Sequence, residues 1–250
     1  MLRTEPLFGG TISMSQPGKG LRFSLDSVLL AAFPPLEKNQ RVLDFGCGSG
    51  ILLLLLAGRE RTLQLAGIDR NPDLIALAKE NLRGNGFAGE ILCGDAMEAA
   101  TLFPEGCFDL IISNPPYYPV GSCRLPRDSA IAAARTELYW NQQKMLEQAF
   151  LLLQPNGSFT LSFDYARKEE LLSLAGETGF FPARILDLQT KSKKTSKRFL
   201  VELKKSPVEL RQETLLLYDE SGAETPELKR ILKVYDRTGT VSGGNAHRQS

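Results

Sequence analysis

The segment SNPPYY, from Ser113 to Tyr118, combines residue types that could activate a planar amine. Such an amine, in a nucleobase or a side-chain amide, is a weak nucleophile because its lone pair is delocalised. Two acceptors that hold its N–H groups would let the nitrogen become pyramidal and attack a methyl group. The Asn114 side-chain oxygen and the Pro115 carbonyl could be these acceptors. The methylated cation loses its proton readily, so positioning and electrostatics would carry the rate without a strong base.

The next two residues support this interpretation. Pro116 restricts the conformation of Pro115, and neither proline has an N–H group that could compete for the acceptors. Tyr117 offers a flat face on which an unstacked base could lie, an interaction typically worth about 1–3 kcal/mol. The alternative is a turn that ends a strand and packs two tyrosines. In its context the motif predicts a site for a planar nitrogen that accepts a methyl group.

A second candidate site is the glycine-rich segment LDFGCGSG, from Leu43 to Gly50. Glycines let a backbone approach a nucleotide-like ligand where a Cβ would block it. A dinucleotide fingerprint would have glycine where this chain has Ile51. Asp44 is unfavourable beside a pyrophosphate but suits a cation with an amino group, and S-adenosylmethionine fits. The residues expected to bind the cofactor here are Asp44, Gly46, Cys47, Gly48 and Gly50.

Two further acids follow the next predicted strands. Asp69 lies roughly twenty residues after the glycines, where a carboxylate can accept both ribose hydroxyl protons. Asp95 could accept the adenine amino proton. A tight turn with unrelated acids is the alternative, but three acids at the ends of three successive strands favour a cofactor site. Arg70 and Ala96, which follow Asp69 and Asp95, join the predicted cofactor-binding residues.

The elements that must position these residues follow an α/β pattern. From residue 40 onward, short apolar runs alternate with segments of helical period, which predicts a doubly wound, mainly parallel sheet. Its seven predicted strands are RVLDF, LQLAGID, EILCGD, FDLIIS, SFTLSF, ARILDLQT and RFLVELKK. We expect Asn71 to cap one helix and a turn to form at QPNG. Thr225 and Pro226 should begin a last helix after a strand at TLLLYD.

The ends of the chain differ from this core. TISMSQPGKGLRFSLDS alternates on both sides of a Pro-Gly-Lys-Gly turn, which predicts an N-terminal hairpin or arm. We therefore divide the chain into an arm packed on the catalytic domain (1–35), the catalytic domain (36–237) and a disordered tail (238–250). The single histidine, His247, falls in that tail. Histidine-based acid–base or metal chemistry is thus not expected.

Composition sets further limits. The formal net charge of +1 gives no global attraction to nucleic acid or membrane. The longest apolar run, Ile51 to Ala57, is far shorter than the roughly 20 residues that span a bilayer. The first residues do not resemble a signal peptide. The four cysteines are scattered, with no CxxC pair. These features predict a cytoplasmic protein with reduced thiols, no bound metal and no membrane contact.

The chain resembles the class I S-adenosylmethionine-dependent methyltransferases, and among them the bacterial tRNA(Val) (adenine-37-N6)-methyltransferase family. The likeness covers about residues 7–236 and includes PGKGLRFSLDSVLLAAF, VLDFGCGSGIL, LIISNPPYY, AARTEL and LLLYDESGAETPELKRILKVY. It implies a Rossmann-like fold, a tRNA substrate and a target adenine held by Asn114 to Tyr117. It also implies that Asp26 lies near the methionine end of the cofactor. Arg135 would lie at the substrate mouth, although Thr136 stands where the family has histidine.

Basic residues near the catalytic motif and in the segment TKSKKTSKR could reach RNA phosphates around a flipped base. A solvated hairpin tip is the alternative for the lysine segment. The predicted RNA-binding residues are Arg127, Arg135, Lys193, Lys194, Lys197 and Arg198. The expected partner is tRNA, and we favour a monomer.

Three other functions remain open from the sequence. A glutamine-N5 methyltransferase of a translation factor uses the same Asn-Pro-Pro-Tyr motif, but such enzymes usually carry a helical N-terminal domain. A guanine-N2 rRNA methyltransferase shares the motif and typically has a longer, duplicated chain. A non-catalytic RNA chaperone could retain the fold, although the intact Asn114 and glycine segment argue against it.

Overall fold

An eight-stranded sheet organises the part of the chain that the computed structural model describes, which is residues 2–7, 12–17, 24–115, 142–192 and 195–236. The helices and strands, in chain order, are β1 (Leu2–Leu7), β2 (Ile12–Pro17), α1 (Leu25–Ala32), β3 (Arg41–Phe45), α2 (Ile51–Arg59), β4 (Gln64–Asp69), α3 (Pro72–Gly84), β5 (Gly89–Cys93), β6 (Phe108–Ser113), α4 (Gln142–Leu152), β7 (Leu153–Asp164), α5 (Lys168–Thr178), β8 (Phe181–Gln189), β9 (Arg198–Lys204), β10 (Arg211–Leu216) and α6 (Pro226–Asp236).

The strand order across the sheet is β10-β8-β9-β7-β6-β3-β4-β5. Neighbouring strands run parallel except beside β9, which is antiparallel to both β7 and β8. One face of the sheet packs against α1, α2, α3 and α6, and the other against α4 and α5. Burial on both faces explains why the central strands are nearly continuous apolar runs. The predicted doubly wound, mainly parallel sheet is confirmed.

The predicted number of seven strands is wrong, because β10 pairs in parallel with β8 and adds an eighth. This strand begins at Arg211, three residues before the predicted TLLLYD strand. Its first four residues are exposed, since β10 forms an edge of the sheet. A half-solvated edge strand needs no apolar run, so the pattern used to find the central strands did not mark where it begins.

Two local expectations about turns also need correction. QPNG does not form a free turn after α4, because β7 starts at Leu153 and runs through it. The register between β6 and β7 shifts there, between Phe108 and Leu110. Gly157 is required at this point, because an added Cβ would lie 3.0 Å from the Phe108 carbonyl oxygen. The predicted Pro-Gly-Lys-Gly turn covers residues 17–20, of which Pro17 ends β2 and 18–20 lie outside the described residues. The segment after Ser24 is the helix α1 instead of a strand.

Helix starts agree with the sequence. Asn71 caps α3 by accepting hydrogen bonds from the backbone N–H groups of Asp73 and Leu74 at 2.9 and 3.4 Å. The Thr225 hydroxyl oxygen accepts from the Leu228 N–H at 3.3 Å at the start of α6. Within the described ranges, no helix combines the length and the apolar character needed to cross a membrane.

The N-terminal strands β1 and β2 pair antiparallel, with Leu2 opposite Pro17 and Leu7 opposite Ile12. Asn81 of α3 and Asn85, the C-cap residue directly after α3, fix β2 to the rest of the fold as a neighbouring strand would. Asn81 exchanges two hydrogen bonds of 2.8 Å with the backbone of Ser15. Asn85 does the same with Ser13, at 2.8 and 2.7 Å. Two residues four apart at the helix thus reach two residues that are two apart on the edge of a strand.

This arrangement predicts that the two asparagines protect different backbone amides of β2. In Asn81→Ala, hydrogen exchange at the Ser15 N–H should accelerate more than at the Ser13 N–H, and Asn85→Ala should show the reverse. Asn81 is buried, so its loss should lower the free energy of unfolding by about 1–3 kcal/mol. Urea titration and amide exchange measured by NMR test both effects. Equal acceleration at both amides in each variant would show that apolar contacts alone dock the hairpin.

Candidate active site at the carboxyl end of the sheet

The glycine loop lies between the end of β3 and the start of α2. Its glycines at positions 46, 48 and 50 have φ angles of 75°, 52° and 86°, a region that side chains with a Cβ rarely adopt. The backbone N–H groups of Gly46 and Cys47 donate to the Ile68 carbonyl oxygen at 2.9 and 3.0 Å, which ties the loop to β4. A Cβ added at Gly48 would meet no atom within 4 Å. The loop therefore borders open space on the side where a ligand could approach its backbone.

Asp44 is the penultimate residue of β3 and is only 1% exposed. Neither of its carboxylate oxygens has a hydrogen-bond partner within the described part of the chain. Burial raises the pKa of Asp44 well above its ordinary value, and the nearby charge of Asp69 adds to the rise. A buried carboxylate without a partner is costly unless a cation compensates it. This site therefore fits a ligand with a positive charge.

Asp69 ends β4 and holds the loop itself. Its Oδ2 accepts from the Gly48 N–H at 2.9 Å, and its Oδ1 accepts from the Asn71 N–H at 2.9 Å. Burial raises the pKa of Asp69, while these backbone hydrogen bonds act in the opposite direction. Each carboxylate oxygen can accept a further hydrogen bond, so Asp69 retains the capacity to bind ribose hydroxyl groups.

The third predicted acid is already engaged within the protein. Asp95 Oδ1 accepts from the Met97 N–H at 2.9 Å and so caps a short 3₁₀ helix, while Oδ2 pairs with the Arg70 guanidinium. Ala96 is buried beside it. Cys47 is also buried, and an added Cβ at Gly67 would lie 3.0 Å from its Sγ, so its thiol packs against Gly67 of β4. Arg70, which follows β4, and Asp95, which follows β5, thus form one ion pair between the ends of these strands.

The Asn-Pro-Pro segment begins beside the glycine loop. The Ser113 hydroxyl donates to the Phe45 carbonyl oxygen at 2.9 Å, which joins the ends of β6 and β3. Asn114 donates from Nδ2 to the Ser27 hydroxyl oxygen at 3.1 Å. Its Oδ1 is buried and has no donor within the described residues, and Pro115 is buried as well. Pro116 and Tyr117 lie outside the described residues.

Sequence reasoning missed both serines. Ser113 ends a strand, where a polar residue carries no special signal. Ser27 lies in α1, a segment whose alternation had suggested a strand, and it precedes Asn114 by 87 residues. Serine at such positions has many roles, so only the fold connects these residues with the motif.

Asp26 and Arg198, for which the sequence predicted cofactor and RNA contacts, lie close together. Arg198 Nε is 3.8 Å from Asp26 Oδ2, and Arg198 Nη1 is 3.0 Å from Asp164 Oδ2. Burial raises the pKa of Asp26, and the Arg198 charge offsets part of that rise. The Arg198 charge is therefore shared with two carboxylates of the protein itself.

Among the other predicted RNA-binding residues, Lys197 is exposed next to β9. The remaining ones, Arg127, Arg135, Lys193 and Lys194, lie outside the described residues, as does Thr136. In the part of the chain that can be examined, no group of histidine, cysteine, aspartate or glutamate side chains could hold a metal ion.

The donors and the space around them fit S-adenosylmethionine. The unpartnered Asp44 carboxylate suits a cation with an amino group, and the open side of Gly48 lets a ligand approach the backbone. Asp69 sits at the end of the adjacent strand, where ribose hydroxyls are bound in sheets of this kind. The Asn114 oxygen and the glycine loop follow the adjacent strands β6 and β3, so a methyl group and its acceptor could meet at this edge.

Comparison with known proteins agrees with this site. Residues 36–212 match the methyltransferase domain family. A tRNA1(Val) (adenine(37)-N6)-methyltransferase from Tolumonas auensis is 32% identical over 83% of this chain and 86% of its own length. One of the same name from Actinobacillus pleuropneumoniae is 29% identical over 86% of this chain and 90% of its own length.

Solved structures share the fold. A predicted O-methyltransferase from Agrobacterium tumefaciens superposes with a TM-score of 0.68 at 20% identity, over 84% of this chain and 96% of that one. An S-adenosylmethionine-dependent methyltransferase from Corynebacterium glutamicum gives 0.50 at 20% identity, over 72% and 88%. The fold, the glycine loop and these relatives together place the chain in the S-adenosylmethionine-dependent methyltransferases, within the family of the tRNA1(Val) (adenine(37)-N6)-methyltransferases.

Proposed function

We propose that this protein transfers a methyl group from S-adenosylmethionine to the N6 atom of an adenine in tRNA, at position 37 of a valine tRNA. The observation that carries the proposal is the Asn114 Oδ1 atom, which is buried and has no donor within the described residues, at the end of the strand next to the glycine loop. The names of the relatives supply the tRNA and the position.

The residues of this chain would act mainly by positioning. S-adenosylmethionine supplies the methyl group on a positively charged sulfur. Asp44 would stabilise the positive end of the cofactor, and Asp69 would hold its ribose. Asn114 Oδ1 and the Pro115 carbonyl oxygen would accept the two N6 protons, so that the nitrogen lone pair points at the methyl group. After transfer, the cationic nitrogen gives up a proton to solvent and no basic side chain is required.

The RNA would be bound by the basic segment before β9. Lys197 is exposed there, and Lys193 and Lys194 are its neighbours in the sequence. We assign phosphate contact to these lysines and regard Arg198 as a residue that holds Asp26 and Asp164. A tRNA substrate also implies a cytoplasmic enzyme, and we propose that it acts as a monomer. We further propose that four residues lie near the bound cofactor: Asp26, Arg70, Asp95 and Ala96.

The first prediction of the proposed function concerns Asn114. With methyl-labelled S-adenosylmethionine and unmodified tRNA, digestion to nucleosides should show label in N6-methyladenosine. Asn114→Ala should lower the rate by about 100-fold or more, because one of two preorganised acceptors is lost. Asn156→Ala, an exposed asparagine in β7, is the matched control and should leave the rate unchanged. Label in a protein extract and none in tRNA would replace this proposal by the glutamine alternative.

The second prediction follows from the raised pKa of Asp44. In the unfolded chain this carboxyl ionises near pH 4, whereas in the folded protein it retains its proton to higher pH. Between these two values the unfolded state binds fewer protons, so Asp44 destabilises the fold increasingly as the pH rises. Asp44→Asn should therefore gain stability relative to the parent as the pH is raised from about 4 to 8. Urea titrations without cofactor at several pH values measure this difference.

The same substitution should weaken S-adenosylmethionine binding by about 10- to 100-fold at neutral pH, because a charge-assisted hydrogen bond is lost. In the parent, affinity should rise with pH as Asp44 loses its proton. Calorimetric titration in two buffers of different ionisation enthalpy would reveal the released proton. Unchanged affinity in the variant would remove Asp44 from the cofactor site.

The third prediction concerns the lysine segment. Replacement of Lys193, Lys194 and Lys197 by glutamine should reduce tRNA affinity and make its dependence on salt concentration shallower, since fewer counterions are released on binding. Arg198→Gln should leave that dependence unchanged, because its guanidinium contacts protein carboxylates. Identical salt dependence in the lysine variant and the parent would exclude the segment from the RNA interface.

A further inference from the structure

We infer that Ser27 is a positioning residue for Asn114, and that its hydroxyl anchors the Asn114 amide at the substrate site. The inference deepens the proposed function, since it concerns how the same site recognises an amine. It starts from one contact: the Ser27 hydroxyl oxygen lies 3.1 Å from Asn114 Nδ2 and accepts its hydrogen bond. Ser27 is only 3% exposed, so water cannot readily replace this partner.

The orientation of the amide matters because its two ends have opposite character. A rotation of the amide plane by 180° exchanges an oxygen that accepts for an NH₂ group that only donates. An amine substrate presents N–H groups and needs the oxygen. With the amide reversed, two sets of donors would face each other. In the structure the NH₂ end is hydrogen-bonded to Ser27, and Oδ1 is the end without a donor within the described residues.

The helix α1, which carries Ser27, is held in place by contacts with two other helices. Arg59 of α2 donates from Nη1 and Nη2 to the carbonyl oxygens of Ala31 and Pro34, at 2.5 and 3.0 Å. The Tyr235 hydroxyl of α6 donates to the Val28 carbonyl oxygen at 3.1 Å. The helix that carries Ser27 is thus fastened to two other helices, so its hydroxyl is a fixed reference point for the amide.

The rate of methyl transfer to tRNA gives the first test. Ser27→Ala should lower the single-turnover rate by about 10- to 100-fold, because the Asn114 amide loses the hydrogen bond that anchors it, while the Kd of S-adenosylmethionine stays close to that of the parent. Ser27→Cys keeps the size of the side chain but offers a weaker acceptor, and should be intermediate. Ser24→Ala is the matched control, since Ser24 precedes the same helix, is exposed, and makes no side-chain capping bond.

A second background separates an effect through Asn114 from general structural damage. In Asn114→Ala the side chain that Ser27 holds is absent. Ser27→Ala should therefore cost little or nothing beyond the effect of Asn114→Ala itself. An equal loss from Ser27→Ala in both backgrounds would overturn the inference, because a merely structural role would be felt in both.

A readout without substrate keeps the inference independent of the proposed function. The side-chain NH₂ resonances of Asn114, assigned by their disappearance in Asn114→Asp, should show slow hydrogen exchange in the parent and in Ser24→Ala. In Ser27→Ala the exchange should be faster. Slow exchange retained in Ser27→Ala would overturn the inference. This measurement remains valid even if Ser27→Ala has no methyltransferase activity. A parent that methylates no tRNA would instead overturn the proposed function and leave this result to decide about Ser27.

Discussion

The site depends on an acid that the fold buries without a partner. Asp44 is the penultimate residue of β3, a central strand that pairs with β4 on one side and β6 on the other, and it is almost completely buried. A carboxylate in that position costs stability, and a positively charged ligand can recover the cost on binding. The buried carboxylate thus lowers the stability of the protein without ligand and makes the site selective for a cation. The glycine loop and the acid at the end of the next strand are arranged around this point.

Three hydrogen bonds from different elements hold the loop in place around Asp44. Asp69 binds the Gly48 N–H, Ser113 binds the Phe45 carbonyl, and Asn81 binds the Ser49 carbonyl at 2.9 Å. The same Asn81 also holds the N-terminal hairpin, so the first strands of the chain and the cofactor loop share one side chain. Rigid support of this kind is what allows a reaction without a strong base to rely on positioning.

Much of this could be predicted from the sequence, because the signals are local. A buried strand followed by glycines, an acid at the end of the next strand, and Asn-Pro-Pro after an apolar run each depend on residues adjacent in the chain. Ser27 and Asn81 could not be predicted, since their partners lie 87 and 66 residues away and neither residue type is distinctive. The start of β10 could not be predicted for a different reason: its first residues are exposed at the edge of the sheet and form no apolar pattern.

The position of β9 has a consequence for how the chain is made. This strand fills the gap between β7 and β8, which do not pair with each other, although it follows both in the sequence. During synthesis, one edge of β7 therefore stays unpaired until β9, which ends at Lys204, has left the ribosome. Three apolar residues of β7, Phe159, Leu161 and Phe163, are buried in the finished sheet. An apolar strand with an open edge invites pairing with other chains. The interval between the synthesis of β7 and that of β9 is thus a stage at which the nascent chain is open to aggregation and would gain from a chaperone.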